Sequence, residues 1–263
     1  MNELTKEYFL SLREQGLTFK QIGELFGLTE RQVNYRTVNK WGLDYSKKKK
    51  LNEFFFSSGT KASYYWAGML AADGWIEGDR NRIGLALQKQ DIDHLYKFKE
   101  AVSSEHDVCP FMNGSAYRIR FNSIQMVEDL KNIFNITPAK THTYSMPLFE
   151  DTYLMLEFLR GYIDGDGHLQ KTDSGKVALH LCSANRLFLV EFKEICEYLL
   201  ARTINQEVNL NVNSKGQVYT IRLVLEDSKE IIKLLYANST EKTRLNRKYI
   251  TALCVLKDEG IVQ

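Results

Sequence analysis

The sequence predicts an α+β protein: two pseudo-symmetric halves, each ordered αββαββα around a sheet, plus a small all-α N-terminal module. Three observations carry this. The chain from about residue 59 onward reads as one unit written twice. Its strands alternate apolar and polar residues at a period of two. The first fifty residues differ in charge, with ten Lys/Arg against six Asp/Glu, whereas the remainder holds 25 against 27.

The N-terminal module covers residues 1–45. "LTKEYFLSLREQ" (4–15) has the apolar spacing of a short helix closed by Gly16. "LTFKQIGELFG" follows, with Thr18 as N-cap, Ile22, Leu25 and Phe26 on one face, and Gly27 as the stop. A third helix opens on Thr29 and offers Arg31, Gln32, Asn34, Tyr35 and Arg36 on its polar face, then Asn39 and Lys40. Three short helices with a tight turn before the third resemble a helix-turn-helix, whose last helix contacts base edges and phosphates. Residues 46–58 form a linker that begins with the basic run "SKKKK".

The first half spans 59–150 and the second 151–263. "LALQ" (85–88) matches "VALH" (177–180) at an offset of 92, and the two "FKE" segments lie 94 apart. "AYRIRF" (116–121) matches "VYTIRL", and "AKT" (139–141) matches "EKT", both at 102. So long a period suggests two paired halves and argues against a solenoid. In the first half the elements fall near 61–73, 75–78, 82–88, 91–103, 107–111, 116–121 and 123–134. In the second they fall near 152–166, 168–171, 176–183, 185–201, 206–212, 217–224 and 227–236.

Alternation gives each sheet an apolar back and a polar front. Ile83, Leu85 and Leu87 oppose Arg82 and Gln88, and Tyr117, Ile119 and Phe121 oppose Arg118 and Arg120. The second front carries Lys176, His180, Cys182, Thr220 and Arg222. The bland alternative is a solvated sheet face. Net charge is only +2, so a nucleic-acid partner must be argued from where the charges point.

Each half opens on a helix of small residues that ends in an acid and a glycine: "WAGMLAADG" (66–74) and "LRGYIDGDG" (159–167). Gly68, Ala72, Gly161 and Gly165 allow two helices to approach closely. Asp73 and Asp166 then emerge side by side, where two carboxylates repel unless a proton or cation intervenes. Oxygen ligands without a nearby His or Cys cluster favour Mg²⁺, with Mn²⁺ as a substitute.

These two segments resemble the signature helices of the LAGLIDADG homing endonucleases. The first matches at Ala67, Gly68, Ala72, Asp73 and Gly74, with Ala71 in place of the usual first acid. The second matches at Leu159, Gly161, Ile163, Asp164, Asp166 and Gly167. The resemblance covers about residues 55–255 and implies that the sheet of each half is antiparallel and saddle-shaped. It implies a monomeric Mg²⁺-dependent enzyme that hydrolyses both strands of double-stranded DNA. Asp73 and Asp166 would hold metal, joined by the backbone carbonyl of Gly74 and more weakly by Ala72 and Gly165. It implies Lys140 and Lys242 as the lysines of the catalytic centre. Gln88 would position water, with His180 as a looser counterpart. Arg82, Arg118, Arg120, Lys176, His180, Thr220 and Arg222 would face DNA. "NRKY" (246–249) resembles the family's C-terminal end and suggests packing or phosphate contact. The rival reading is a non-cleaving DNA or RNA binder on the same fold, a transcription regulator or an intron maturase.

Composition excludes several classes. No apolar run reaches the eighteen or so residues of a membrane span, and "MNELTKEYFLSLREQ" lacks a secretory core, so a cytoplasmic or organellar protein is expected. Cys109, Cys182, Cys196 and Cys254 show no pairing rhythm and read as reduced, buried thiols.

Overall fold

The computed structural model describes residues 3–43, 49–171, 177–213 and 216–258. Two compact units result, Met1–Lys49 and Lys50–Gln263. Among the described residues, no helix is long and apolar enough to cross a membrane.

In the first unit, α1 (Lys6–Glu14), α2 (Phe19–Phe26) and α3 (Glu30–Tyr35) enclose Leu4, Phe9, Leu12, Ile22 and Val33. Thr18 and Thr29 each close a capping box, in which Gln21 and Gln32 answer the threonine backbone. α3 continues into a π turn, Arg36–Lys40, anchored by the buried Thr37 hydroxyl on the Val33 carbonyl. One expectation fails: Leu25 points away from the small core and is 63% exposed. The capping box also occupies the Gln32 carbonyl oxygen, leaving only its amide NH₂ to reach outward.

In the second unit the order is α4 (Lys61–Asp73), β1 (Gly74–Glu77), β2 (Arg82–Gln88), α5 (Ile92–Ala101), β3 (Cys109–Phe111), β4 (Ala116–Asn122) and α6 (Ile124–Phe134). It repeats as α7 (Thr152–Asp166), β5 (His168–Lys171), β6 (Val177–Ser183), α8 (Arg186–Leu200), β7 (Asn209–Asn213), β8 (Gly216–Leu223) and α9 (Leu225–Tyr236). α10 (Asn246–Asp258) follows, a helix that the sequence pattern does not delimit, and it buries Ala252, Val255 and Leu256. The strands described form two antiparallel sheets in the orders β1-β2-β4-β3 and β5-β6-β8-β7.

The ladders correct the sequence overlay at the second strand. Trp75 pairs with Gly84 in the first sheet, and His168 pairs with His180 in the second. Leu85 faces Ile119 as Leu181 faces Ile221. Gly84 therefore corresponds to His180, and Gln88 to Ala184. His180 is not the counterpart of Gln88. At Gly84 the missing side chain matters, because a Cβ there would lie 2.2 Å from the Trp75 ring.

α4 and α7 pack along their length at the centre of the unit. A Cβ on Gly68 would fall 2.0 Å from the Phe158 carbonyl oxygen, and one on Gly161 would fall 1.9 Å from that of Tyr65. Backbone therefore touches backbone, symmetrically, and only glycine fits at these crossings. Around this pair the core includes Tyr65, Trp66, Phe134, Phe158 and Phe188.

The four thiols are free, as expected, but Cys109 and Cys182 are exposed, contrary to the expectation of burial. Cys182 falls on the polar front of β6, opposite in sense to Leu181, and Cys109 lies on the edge strand β3.

Candidate active site at the paired helix ends

α4 and α7 end together, and Asp73 and Asp166 are their last residues. A Cβ on Gly165 would approach to 2.4 Å from the Ala72 Cβ and 3.2 Å from Asp73 Oδ2, which brings Asp73 against the residue before Asp166. Burial and the facing Asp166 carboxylate push the Asp73 pKa up to about 6, while Lys248, Lys140 and Arg247 pull the other way. Burial also raises Asp166, opposed by Lys140, Lys248 and a hydrogen bond from Tyr162. Neither acid has an ion-pair partner within bonding distance among the described residues. The two carboxylates thus repel one another, and Lys140 and Lys248 oppose that repulsion from beyond ion-pair distance.

Two lysines reach the helix ends. Lys140 Nζ donates to the Gly74 carbonyl at 2.8 Å and approaches that of Ala72 at 3.5 Å. Lys248 Nζ donates to the carbonyls of Ile163, Asp164 and Gly165 at 2.7, 2.7 and 2.9 Å. Burial lowers both ammonium groups, Lys248 to about 8. Lys242 is not brought to the acids. Its side chain is 79% exposed and paired with Glu100 at 2.8 Å. Lys242 follows α9 in a 3₁₀ turn, whereas α10 packs against α9, β5 and β6 and delivers Lys248 to the end of α7 instead. The one sequence signal for Lys248 is the segment "NRKY" (246–249), whose pattern points no further than packing or phosphate contact.

Asp164 serves the structure. It is 1% exposed and accepts from Tyr236 (2.6 Å), Tyr65 (2.7 Å) and the Leu245 amide (2.7 Å). It ties α7 to α4, α9 and the start of α10.

An open cavity of about 280 Å³ adjoins the second acid, lined by Lys140, Thr141, Tyr162, Asp166, Cys182 and Val218 among others. The paired carboxylates fit a hard divalent cation, since their mutual repulsion is what such an ion relieves. Among the described residues no group of three or more His, Cys, Asp or Glu side chains is assembled, so two carboxylates are what the side chains offer. The carbonyls of Gly74, Ala72 and Gly165, expected to join a metal set, each face a lysine ammonium.

The expected DNA-facing residues of the two halves that are described fall on the sheets. Gln88 lies at the far end of β2, exposed, with its side-chain oxygen taken by Gln90 at 3.1 Å. Arg82 bonds Asn122 and Glu77, Arg118 stacks on Phe111 at 4.5 Å, and Arg120 is exposed. His180 faces Arg222 across the ladder and His168 at a ring distance of 6.1 Å; burial first, then these neighbours, lower its pKa. Thr220 accepts from Asn211, and Arg222 is exposed. Lys176 lies outside the described residues.

Residues 154–236 match a family model described as a LAGLIDADG-like domain. No curated protein matches the sequence. Among solved structures, the chain is similar to the I-LtrWI LAGLIDADG homing endonuclease bound to target DNA, at 11% identity and a TM-score of 0.50, over 77% of this chain and 93% of that one. The meganuclease I-SmaMI bound to uncleaveable DNA aligns at 11% identity and 0.46, over 76% and 91%. I-DmoI in complex with DNA and Ca aligns at 15% and 0.46, over 74% and 94%. The first likeness is one of fold.

Proposed function

We propose that this chain, whose second half is a LAGLIDADG-like domain set in the two-sheet LAGLIDADG fold, is a divalent-metal-dependent DNA endonuclease that cuts both strands. The observation that carries the proposal is the meeting of Asp73 and Asp166 at the common end of α4 and α7. The two sheet fronts, bearing Arg82, Arg118, Arg120, His180, Thr220 and Arg222, suit successive major grooves, about one turn of roughly 10 bp each. Both halves lie in one chain, so a monomer suffices. The N-terminal helices would add a third DNA contact through Arg31, Asn34, Tyr35 and Arg36, with the Gln32 amide beside them.

Bound between Asp73 and Asp166, Mg²⁺ or Mn²⁺ would lower the pKa of a water and stabilise charge on the departing 3′ oxygen. The chain's own residues do the rest. Lys140, desolvated beside both acids, places positive charge where a phosphate gains negative charge in the transition state. Tyr162 lines the cavity beside Asp166 and favours its charged form. In net terms, water adds to phosphorus, the bond to the 3′ oxygen breaks, and that oxygen takes a proton. A non-cleaving binder gains nothing from two acids turned toward phosphate, which disfavours the rival reading.

Cleavage selection on a randomised duplex library with Mg²⁺ tests the proposal and yields the target. On that target, Asp166→Asn is expected to lose at least about a hundredfold in single-turnover rate while binding changes little. Full-rate double-strand cleavage by Asp166→Asn would falsify the assignment.

A further inference from the structure

Resting on that reading of the acids, we propose that the two buried lysines divide the work: Lys248 is a positioning residue that fixes Asp166, and Lys140 is the ammonium left free to meet phosphate. An ammonium has three N–H donors. Lys248 commits all three to consecutive carbonyls, those of Ile163, Asp164 and Gly165, at 2.7–2.9 Å. These belong to the last turn of α7: the Ile163 carbonyl also accepts from the Gly167 amide at 2.9 Å, and those of Asp164 and Gly165 lie past that last helical bond, where carbonyls need other partners. They immediately precede Asp166, and the last of them is on a glycine, the residue with the most backbone freedom. Lys248 is itself only 5% exposed, so it cannot turn to a phosphate without leaving buried carbonyls unpaired.

Lys140 is placed differently. It makes one short bond, to Gly74, and one at 3.5 Å, to Ala72, so at least one N–H remains uncommitted. It also lines the open cavity beside Asp166. The carbonyls it touches flank Asp73 and do not form a run before it. The repeat therefore supplies each helix end with a lysine from a different place in the chain. One lysine is saturated and one is available.

The test compares Lys248→Met and Lys140→Met, with Lys248→Gln as a variant that keeps two donors. The first readout is the rise in melting temperature that Mn²⁺ gives the free protein, which needs no cleavage. Lys248→Met is expected to need about tenfold more Mn²⁺ for the same rise, as when a group orienting a metal ligand is lost. Lys248→Gln should recover part of this, and Lys140→Met should match the unaltered chain. The second readout is single-turnover cleavage of the selected duplex. Lys140→Met should lose about a hundredfold at saturating Mn²⁺, and Lys248→Met should shift chiefly the Mn²⁺ midpoint. An unchanged Mn²⁺ response in both Lys248 variants would overturn the proposal, as would a saturating rate lowered alike by all three substitutions. Destabilisation without a metal shift in Lys248→Gln would reduce Lys248 to a helix cap. An unaltered chain that neither responds to Mn²⁺ nor cuts any duplex would end the underlying reading as well.

Discussion

At Asp73 the physics of a single carboxyl has a consequence for stability. Its folded pKa of about 6 lies above the ordinary value of 3.8, because burial and Asp166 disfavour the charge. The folded chain therefore holds this proton more tightly than the unfolded chain does. The resulting stability is present at low pH and is lost as pH rises from about 3.8 through about 6. Asp73→Asn, which removes the charge at nearly constant shape, should stabilise the metal-free protein at pH 7.5 by up to about 3 kcal/mol. The gain should fade as pH drops toward about 4. Urea unfolding at both pH values checks this, and an equal effect at each would show that charge is not the cause. Added Mg²⁺ should narrow the gap by stabilising only the chain that keeps its acid.

For the helix pair, the controlling contact is backbone against backbone at Gly68 and Gly161. Gly161→Ala would place a methyl within van der Waals overlap of the Tyr65 carbonyl, which no side-chain rotation relieves. The helices must part, at a cost of about 1–3 kcal/mol typical of overpacking. Because the acids are the last residues of these helices, separation should also weaken the Mn²⁺ response. Chemical unfolding together with a metal titration measures both effects. Alanine at Gly59, where no atom lies within 4 Å but φ is +64°, should instead act through backbone strain alone and leave metal binding intact.

Across the whole molecule, the two units have separate cores, one around Phe9 and Ile22 and one around α4 and α7. A chain beginning at Lys50 should fold and keep its cleavage rate at saturating protein. Its affinity for the selected duplex should fall, and the slope of log affinity against log salt should become shallower by about one for each phosphate the helices would have neutralised. Gel-shift titrations over a salt series decide this. Identical affinity and slope would mean that the N-terminal helices do something other than hold DNA.

Much of this was set by the sequence alone, wherever the signal is local. The caps at Thr18 and Thr29, the strand alternation and the two acid-tipped helices were legible because each depends on residues a few positions apart. Small residues at Gly68 and Gly161 announced a close helix crossing for the same reason. The register of the second strand was not legible. A four-residue slip keeps every side chain on its proper face, so "LALQ" and "VALH" satisfy the pattern even though the ladders pair Gly84, not Gln88, with the position of His180. Nor did the chain order reveal which lysine serves the second helix end. Lys242 matches Lys140 by position in the repeat, but α10 packs back over the second half and brings in Lys248. Burial of the ammonium depends on that return of the chain, a meeting of segments more than eighty residues apart that only the tertiary fold decides.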